Sequence, residues 1–180
     1  MQVKYRWTNG NDEDFRRFYL ETEDYYSSIV GGKQNRQAFV PYNLSESISH
    51  VIIAAVNGIA VGCAGLKAYS DSDAEIKRVW VEQDYRRNHI ADKMMEQIER
   101  KAGELGFART ILQTRLIMKE AVGLYLKRGY HQIENYPPYD RLNGAVCFAK
   151  VLQPSEFKDC EDPGKQCPGG ERKNEQNGQT

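Results

Sequence analysis

Several features that would identify a function class at once are missing from the sequence. No apolar run approaches the roughly 20 residues that a membrane-spanning helix needs, and no apolar signal segment is visible at the N-terminus. The charges balance, with 25 Lys and Arg against 25 Asp and Glu. This balance argues against a dedicated nucleic-acid surface or a polybasic membrane surface. We therefore expect a cytoplasmic protein with neither kind of partner.

Motifs for several common chemistries are absent as well. The sequence has no G-x-x-x-x-G-K-[ST] phosphate loop, no G-x-G-x-x-G dinucleotide fingerprint and no nucleophile elbow of a hydrolase. The four cysteines form no C-x-x-C pair and no cluster of histidines accompanies them, so we expect no metal. Cys63 and Cys147 should pack in apolar strands, whereas Cys160 and Cys167 lie in a polar tail.

The sequence does contain regularly patterned elements in a length that suits one domain with a sizeable core. The predicted strands are 2–7, two apolar runs within 50–69 joined by Asn57-Gly58, 74–81, 108–114, 130–135 and 144–152. The predicted helices follow Asn11 or Asp12, begin near Ile90 and span 119–128. Because a helix connects them, the strands 74–81 and 108–114 should run parallel.

The helix that begins near Ile90 has two distinct faces. Its apolar residues recur at helical spacing and are Ile90, Ala91, Met94, Met95, Ile98, Ala102 and Leu105. Its charged residues fill the opposite face and are Asp92, Lys93, Glu96, Glu99, Arg100 and Glu104. Gly106 suits the end of the helix. The pattern predicts a helix with one buried and one solvated face.

After residue 152 the composition changes. Residues 153–180 are rich in glycine, proline and charge, and Phe157 is their only large apolar side chain. Such a segment cannot bury enough apolar surface to order itself. We therefore predict a domain at 1–152 and a disordered polar tail at 153–180.

A short joint connects the strand 74–81 to the following helix, and it contains Arg86, Arg87 and His89. A helix N-terminus carries unpaired N–H groups and a partial positive charge, so it suits a phosphate-bearing ligand. From the residues alone, the joint is either an anion site or an ordinary turn with solvated arginines.

The order of three segments resembles the GNAT superfamily of acyl-CoA N-acyltransferases. They are "AEIKRVWVEQDYRRNHIADKMM", similar to the family's strand and [QR]-x-x-G-x-[GA] loop, then "ARTILQT", then "EAVGLYLKRGY", similar to A-x-x-L-Y-x-x-x-G-[FY]. With the preceding hairpin, the resemblance covers roughly 50–151. It implies an α/β (α+β mixed) GNAT fold, with a mixed central sheet of six to seven strands and helices on both faces.

The resemblance also implies a site for acetyl-CoA. The [QR] position falls on Arg86, and the backbone amides expected to cradle the pyrophosphate belong to Arg87, Asn88, His89, Ile90 and Ala91. The pantetheine should lie along the strand at Trp80 and Val81, with the Val81 amide polarising the thioester carbonyl, and Thr114 and Tyr125 complete the expected contacts. His89 stands where the family usually has glycine, and Met118 where it prefers asparagine.

The transfer reaction needs an acid and a base. The resemblance assigns Tyr125 as the acid that protonates the departing thiolate; the alternative is a tyrosine that only packs beside Ala121 and Leu124. Glu75 is the candidate base, and its alternative is an ion pair with Lys77 or Arg115. Two histidines are weaker substitutes for the base, His50 and His131.

The resulting hypothesis is an N-acetyltransferase that transfers an acetyl group from acetyl-CoA to a primary amine of a small molecule or peptide. The amine attacks directly in a ternary complex, with no metal and no covalent enzyme intermediate. The acceptor pocket should use aromatic residues of the variable segments, namely Tyr25, Tyr26, Tyr42, Tyr136 and Tyr139. A homodimer is compatible with the family. The alternative function is a non-catalytic CoA-binding sensor or interaction module of the same fold.

Overall fold

The computed structural model describes residues 1–35, 37, 39–42 and 44–153. Cys160, Cys167 and the predicted tail from residue 154 onward lie outside the described residues. The division into a domain and a tail therefore stays a prediction. Cys63 and Cys147 are buried and free, as their apolar surroundings in the sequence predicted.

A mixed sheet of seven strands, in the order β1-β2-β3-β4-β5-β7-β6, organises the described part of the chain. The strands are β1 (Val3–Thr8), β2 (His50–Val56), β3 (Ile59–Ala68), β4 (Asp73–Val81), β5 (Arg109–Arg115), β6 (His131–Ile133) and β7 (Ala145–Val151). Neighbouring strands are antiparallel except β4 and β5, which are parallel. The predicted strand–helix–strand unit is confirmed.

Helices cover both faces of the sheet. They are α1 (Glu13–Ile29), α2 (Ile90–Glu104) and α3 (Lys119–Lys127). Successive strand residues point to opposite faces. One face packs on α1 through Phe15 and Phe18, and the other packs on α2 through residues such as Met94 and Ile98. The predicted fold class is confirmed. Within the described ranges, no helix combines the length and apolar character that crossing a bilayer requires.

Two turns predicted from sequence adopt the expected local geometry. Asp12 caps α1, and its side chain accepts a hydrogen bond from the Phe15 amide at 3.2 Å. Asn57 and Gly58 both have positive φ, at 51° and 83°, and join β2 to β3 in a two-residue hairpin. The turn sets the register of the pairs Val56–Ile59 and Ala55–Ala60, and a β-bulge shifts the register from Ala54 onward.

β4 contains an irregularity that the sequence did not predict. Its register against β3 shifts between Cys63 and Gly65, and Arg78 has a φ of 55°. One residue of β3 therefore faces two of β4, which is a β-bulge, and bulges bend the strand that carries them. The parallel pairing with β5 ends at Ile76 and Leu112, although both strands continue. The sheet is open between β4 and β5 beyond that point.

The prediction that Glu99 lies on the solvated face of α2 is wrong. Glu99 is only 4% exposed, and its carboxylate accepts hydrogen bonds from Arg128 at 2.8 and 3.0 Å and from Lys150 at 2.7 Å. The hydroxyl of Tyr130 donates a further bond at 3.3 Å. Helical periodicity places Glu99 at the edge of the apolar face, and cations from α3 and β7 make its burial tolerable. Leu105, predicted to be buried, is instead 44% exposed.

We expect Glu99→Gln to lower the free energy of unfolding by about 3 kcal/mol, because it leaves two largely buried cations without their shared anion. Glu104→Gln is the matched control on the same helix, since Glu104 makes exposed ion pairs only. Its effect should stay below about 0.5 kcal/mol. Urea denaturation of both variants measures the difference, and equal effects would contradict a stabilising role for the buried cluster.

Candidate functional site

The open region between β4 and β5 forms a cleft of about 1110 Å³ that continues to the starts of α2 and α3. All residues predicted to contact acetyl-CoA line this cleft, with the exception of Asn88. They are Trp80, Val81, Arg86, Arg87, His89, Ile90, Ala91, Thr114 and Tyr125. The structure brings them together, and their role in binding stays a prediction.

The loop before α2 presents a row of backbone donors. A single 3₁₀ turn, Gln83–Tyr85, follows β4, and the loop then changes direction at Arg87 and His89, whose φ angles are 62° and 57°. The amides of residues 87–91 donate no hydrogen bond to any described residue. Asn88 stabilises the turn of the loop, since its side-chain amide donates to the carbonyls of Tyr85 and Arg86 at 3.1 Å. Unpaired amides at a helix N-terminus suit an anion.

His89 has the left-handed backbone that glycine adopts at no steric cost. This conformation gives a physical reason for the family's glycine at this position. The His89 side chain is exposed, makes no capping bond to the helix and lies 3.5 Å from the Asp92 carboxylate. It therefore accepts no hydrogen bond from the amides of the loop. At the other departure from the family pattern, Met118 begins α3 without a side-chain cap.

The backbone of β4 faces the cleft at Val81. The next amide, that of Glu82, donates to Val61 of β3 at 2.9 Å. Because successive backbone groups of a strand point to opposite edges, the Val81 amide points toward the open edge. The Val81 carbonyl points the same way and accepts a hydrogen bond from Nε of Arg86 at 3.0 Å. Arg86 also lies over the Trp80 ring at 4.9 Å, so it ties the loop to the end of the strand.

The position of Tyr125 is compatible with both sequence interpretations, and its role as the acid stays a prediction. It lies on α3 at the floor of the cleft and is 7% exposed, with its ring 5.9 Å from that of Tyr130. It therefore packs in the core and lines the cleft at once. Burial, with a smaller contribution from Tyr26, raises the pKa of Tyr125 well above its ordinary value. The phenol is protonated at neutral pH, as a proton donor must be.

Glu75 lies behind the wall of the cleft and does not line it. Its carboxylate pairs with the ammonium of Lys77 at 2.9 Å, which is one of the alternatives that the sequence left open, and accepts a hydrogen bond from the Tyr136 hydroxyl at 3.0 Å. Lys77, which does line the cleft, also donates to the Tyr139 hydroxyl. Burial lowers the pKa of Lys77, and Glu75 opposes this shift. The role of Glu75 as base stays a prediction.

The predicted acceptor aromatics divide into two groups. Tyr25 and Tyr26 line the cleft and pack edge-on against Trp80. Tyr136 and Tyr139 do not line it; they pack on each other beside Glu75. The side chain of Tyr42 lies outside the described part of the structure. Neither substitute base, His50 or His131, lines the cleft.

Sequence reasoning missed the polar residues on the cleft wall opposite the loop: Lys77, Arg78, Gln113 and Arg115. Gln113 and Arg115 alternate along β5 with residues that pack on α2 and α3, so period-two alternation could have placed them together on one face. No pattern in the sequence predicted the bulge in β4. In the described ranges, no three His, Cys, Asp or Glu side chains are placed to hold a metal.

Solved structures share this fold. A candidate acyl-CoA N-acyltransferase of Klebsiella pneumoniae is 20% identical with a TM-score of 0.70, covering 84% of this chain and 99% of that chain. A GNAT family acetyltransferase of Elizabethkingia anophelis with acetyl-CoA bound is 16% identical with a TM-score of 0.60, covering 83% of this chain and 98% of that chain. At these identities the likeness establishes the fold.

A curated relative agrees at the level of sequence. The IAA acetyltransferase of Azospirillum brasilense is 27% identical over 89 residues, which are 49% of this chain and 58% of the relative. The match thus spans less than two thirds of that relative's length. It supports an acyltransferase without specifying what this chain acts on.

The match to a family as a whole is broader. The sequence model of the acetyltransferase (GNAT) family covers residues 7–130, which is well over half of the chain. This range runs from β1 to the end of α3 and includes the loop before α2, the open edge of β4 and Tyr125. The chain belongs to the GNAT family of acetyltransferases.

Proposed function

We propose that this protein transfers an acetyl group from acetyl-CoA to the primary amine of a small molecule or peptide, by direct attack in a ternary complex. One observation carries the proposal: a single cleft joins unpaired amides at the start of α2, the open edge of β4 and the buried phenol of Tyr125. The amides can bind an anion, the strand edge can pair with an extended ligand, and the phenol can donate a proton.

Each part of the cleft suits one part of acetyl-CoA. The amides of residues 87–91 and the positive end of α2 bind the pyrophosphate. The open edge of β4 pairs with the amide groups of the pantetheine arm, as a sheet edge pairs with an extended peptide. This arrangement brings the thioester carbonyl within reach of the Val81 amide, which stabilises the negative charge that develops on its oxygen.

The chemistry then needs two proton transfers. As the amine nitrogen bonds to the thioester carbon and the C–S bond breaks, Tyr125 donates its proton to the departing sulfur. The amine nitrogen loses a proton at the same stage. Since Glu75 lies behind Lys77, it accepts this proton through Lys77 or water rather than by direct contact.

Calorimetric titration with acetyl-CoA tests the cofactor site. We expect micromolar binding by the wild type and about tenfold weaker binding by Arg86→Ala, because that side chain holds the loop to Val81. Arg100→Ala is the matched control, since Arg100 lies on α2 outside the cleft. An undetectable affinity of the wild type would contradict the proposal. Binding without thiol release from a broad amine panel would favour the non-catalytic CoA-binding module.

Removing the Tyr125 hydroxyl separates catalysis from binding. Tyr125→Phe should lower kcat by about 10²-fold or more, as loss of a general acid does, and leave the Kd for acetyl-CoA within about threefold. Tyr5→Phe, on β1 and outside the cleft, should leave both unchanged. Steady-state thiol release and calorimetry supply the two numbers. Equal losses in kcat and affinity would identify Tyr125 as a packing residue.

Because His89 has a left-handed backbone, we expect two substitutions there to change the free energy of unfolding in opposite directions. His89→Gly relieves a conformational cost of about 1–2 kcal/mol that is partly offset by glycine's freedom in the unfolded chain. We expect its unfolding free energy to match or slightly exceed the wild-type value, with acetyl-CoA binding retained. His89→Val should destabilise by about 1 kcal/mol or more, because a β-branched residue tolerates this backbone poorly. Urea denaturation checks both, and an unaffected valine variant would contradict the assigned geometry.

A further inference from the structure

Charge is distributed unevenly within the cleft. Its acidic lining residues are Asp84, Asp92 and Glu120, and they belong to the loop and to the starts of α2 and α3. The loop and these helices also carry Arg86, Arg87, Lys119 and Lys127. The wall formed by β4 and β5 beyond their last pair carries the cations Lys77, Arg78 and Arg115 and, among the described residues, no acidic lining residue. A ligand that reaches this wall meets cations. The wall therefore favours a negatively charged group over a positively charged one.

Two of these three cations are compensated within the protein. Lys77 pairs with Glu75 at 2.9 Å, and Arg78 pairs with Glu23 at 2.6 Å. Both carboxylates lie close enough to satisfy much of the charge they face. Arg115 differs, because it forms no ion pair with any carboxylate in the described residues. It is the charge on this wall that a ligand can neutralise.

Packing contacts fix the position of the Arg115 side chain. It ends β5 opposite Ala145 of β7, and residues opposite each other share a face of the sheet. Its guanidinium lies 5.3 Å from the centre of the Phe39 ring. Nη2 rests against Gly144, where an added Cβ would come within 2.9 Å of that nitrogen. An aromatic face and a residue without a side chain thus hold the guanidinium in place.

One of the guanidinium nitrogens is also buried without a partner. Nη1 of Arg115 is inaccessible to solvent and donates no hydrogen bond to a described residue. A buried donor left unsatisfied destabilises the fold, and more so when it is charged. A carboxylate in the cleft meets the accessible part of the guanidinium, and it accepts a second, parallel hydrogen bond from Nη1 once the guanidinium turns toward the cleft.

We propose that Arg115 binds the carboxylate of the acceptor, so that the acceptor is a small amino acid-like amine rather than a polyamine or another polycation. The inference rests on the proposed acetyl transfer and names the substrate class of that same cleft. Arg115 here determines specificity by holding the acceptor and takes no part in the proton transfers.

Matched acceptors test this inference. For several side chains, the free amino acid, its amide and the decarboxylated amine are compared by thiol release from acetyl-CoA, with rates expressed per neutral amine. The wild type should prefer the acid by about tenfold or more in kcat/KM. Arg115→Gln should remove most of that preference by lowering the value for the acid alone. Arg115→Lys, which keeps the charge and loses the paired geometry, should fall between the two.

Two controls separate this effect from misfolding and from net charge. Arg141→Gln makes the same change of charge at a side chain that is 92% exposed and outside the cleft, and it should behave as the wild type does. Arg115→Gln should also bind acetyl-CoA within about twofold of the wild-type Kd, which shows an intact fold and cofactor site.

The outcomes distinguish the two proposals. Equal use of acid, amide and amine by the wild type, or an equal loss with all three in Arg115→Gln, overturns the role of Arg115 and leaves acetyl transfer standing. Where no acceptor reacts, ligand-observed NMR with the same acids and CoA decides. Binding that Arg115→Gln abolishes supports the inference, and its absence overturns it. A wild type that does not bind acetyl-CoA overturns the proposed function and this inference with it.

Discussion

The separation of β4 from β5 is the constraint on which the cleft depends. Parallel neighbours in a sheet normally satisfy each other's backbone, yet here the pairing stops at Ile76 and Leu112. β5 keeps its full set of partners on β7, and β4 keeps β3, so neither strand is lost from the sheet. The bulge at Arg78 bends β4, and backbone groups as far as Val81 remain at an open edge. An edge that is a liability elsewhere becomes a surface for an extended ligand.

Rigid packing on the far side of α2 supports this opening. Glu99 binds Arg128 at the end of α3 and Lys150 of β7 at once, so one buried carboxylate ties three elements together. Arg128 also donates to the Asp92 carbonyl near the start of α2. The cluster therefore fixes α3, with Tyr125, relative to the helix whose N-terminus carries the unpaired amides. Precise positioning of this kind contributes strongly to catalysis between bound groups.

The charges along the cleft connect the two proposals. Amides and the α2 dipole make one end suitable for phosphates, and Arg115 leaves a positive charge without an ion pair to a described carboxylate on the opposite wall. A cleft with a positive site at each end suits a cofactor with phosphates and an acceptor with a carboxylate.

Local patterns in the sequence determined most of the architecture: the hairpin at Asn57-Gly58, the parallel unit around α2, and the family segments that carry the loop and Tyr125. These features depend on the spacing of apolar residues and on turn-forming residues, and both are set by residues close together in the sequence. Only the tertiary structure decided which charged residues are buried and with what partners. Glu75 lies behind Lys77, and Glu99 is enclosed by distant cations, because strand pairing and helix packing bring together residues far apart in the chain. The sequence shows that a carboxylate is present, whereas the tertiary structure decides whether it is buried and which cations it pairs with.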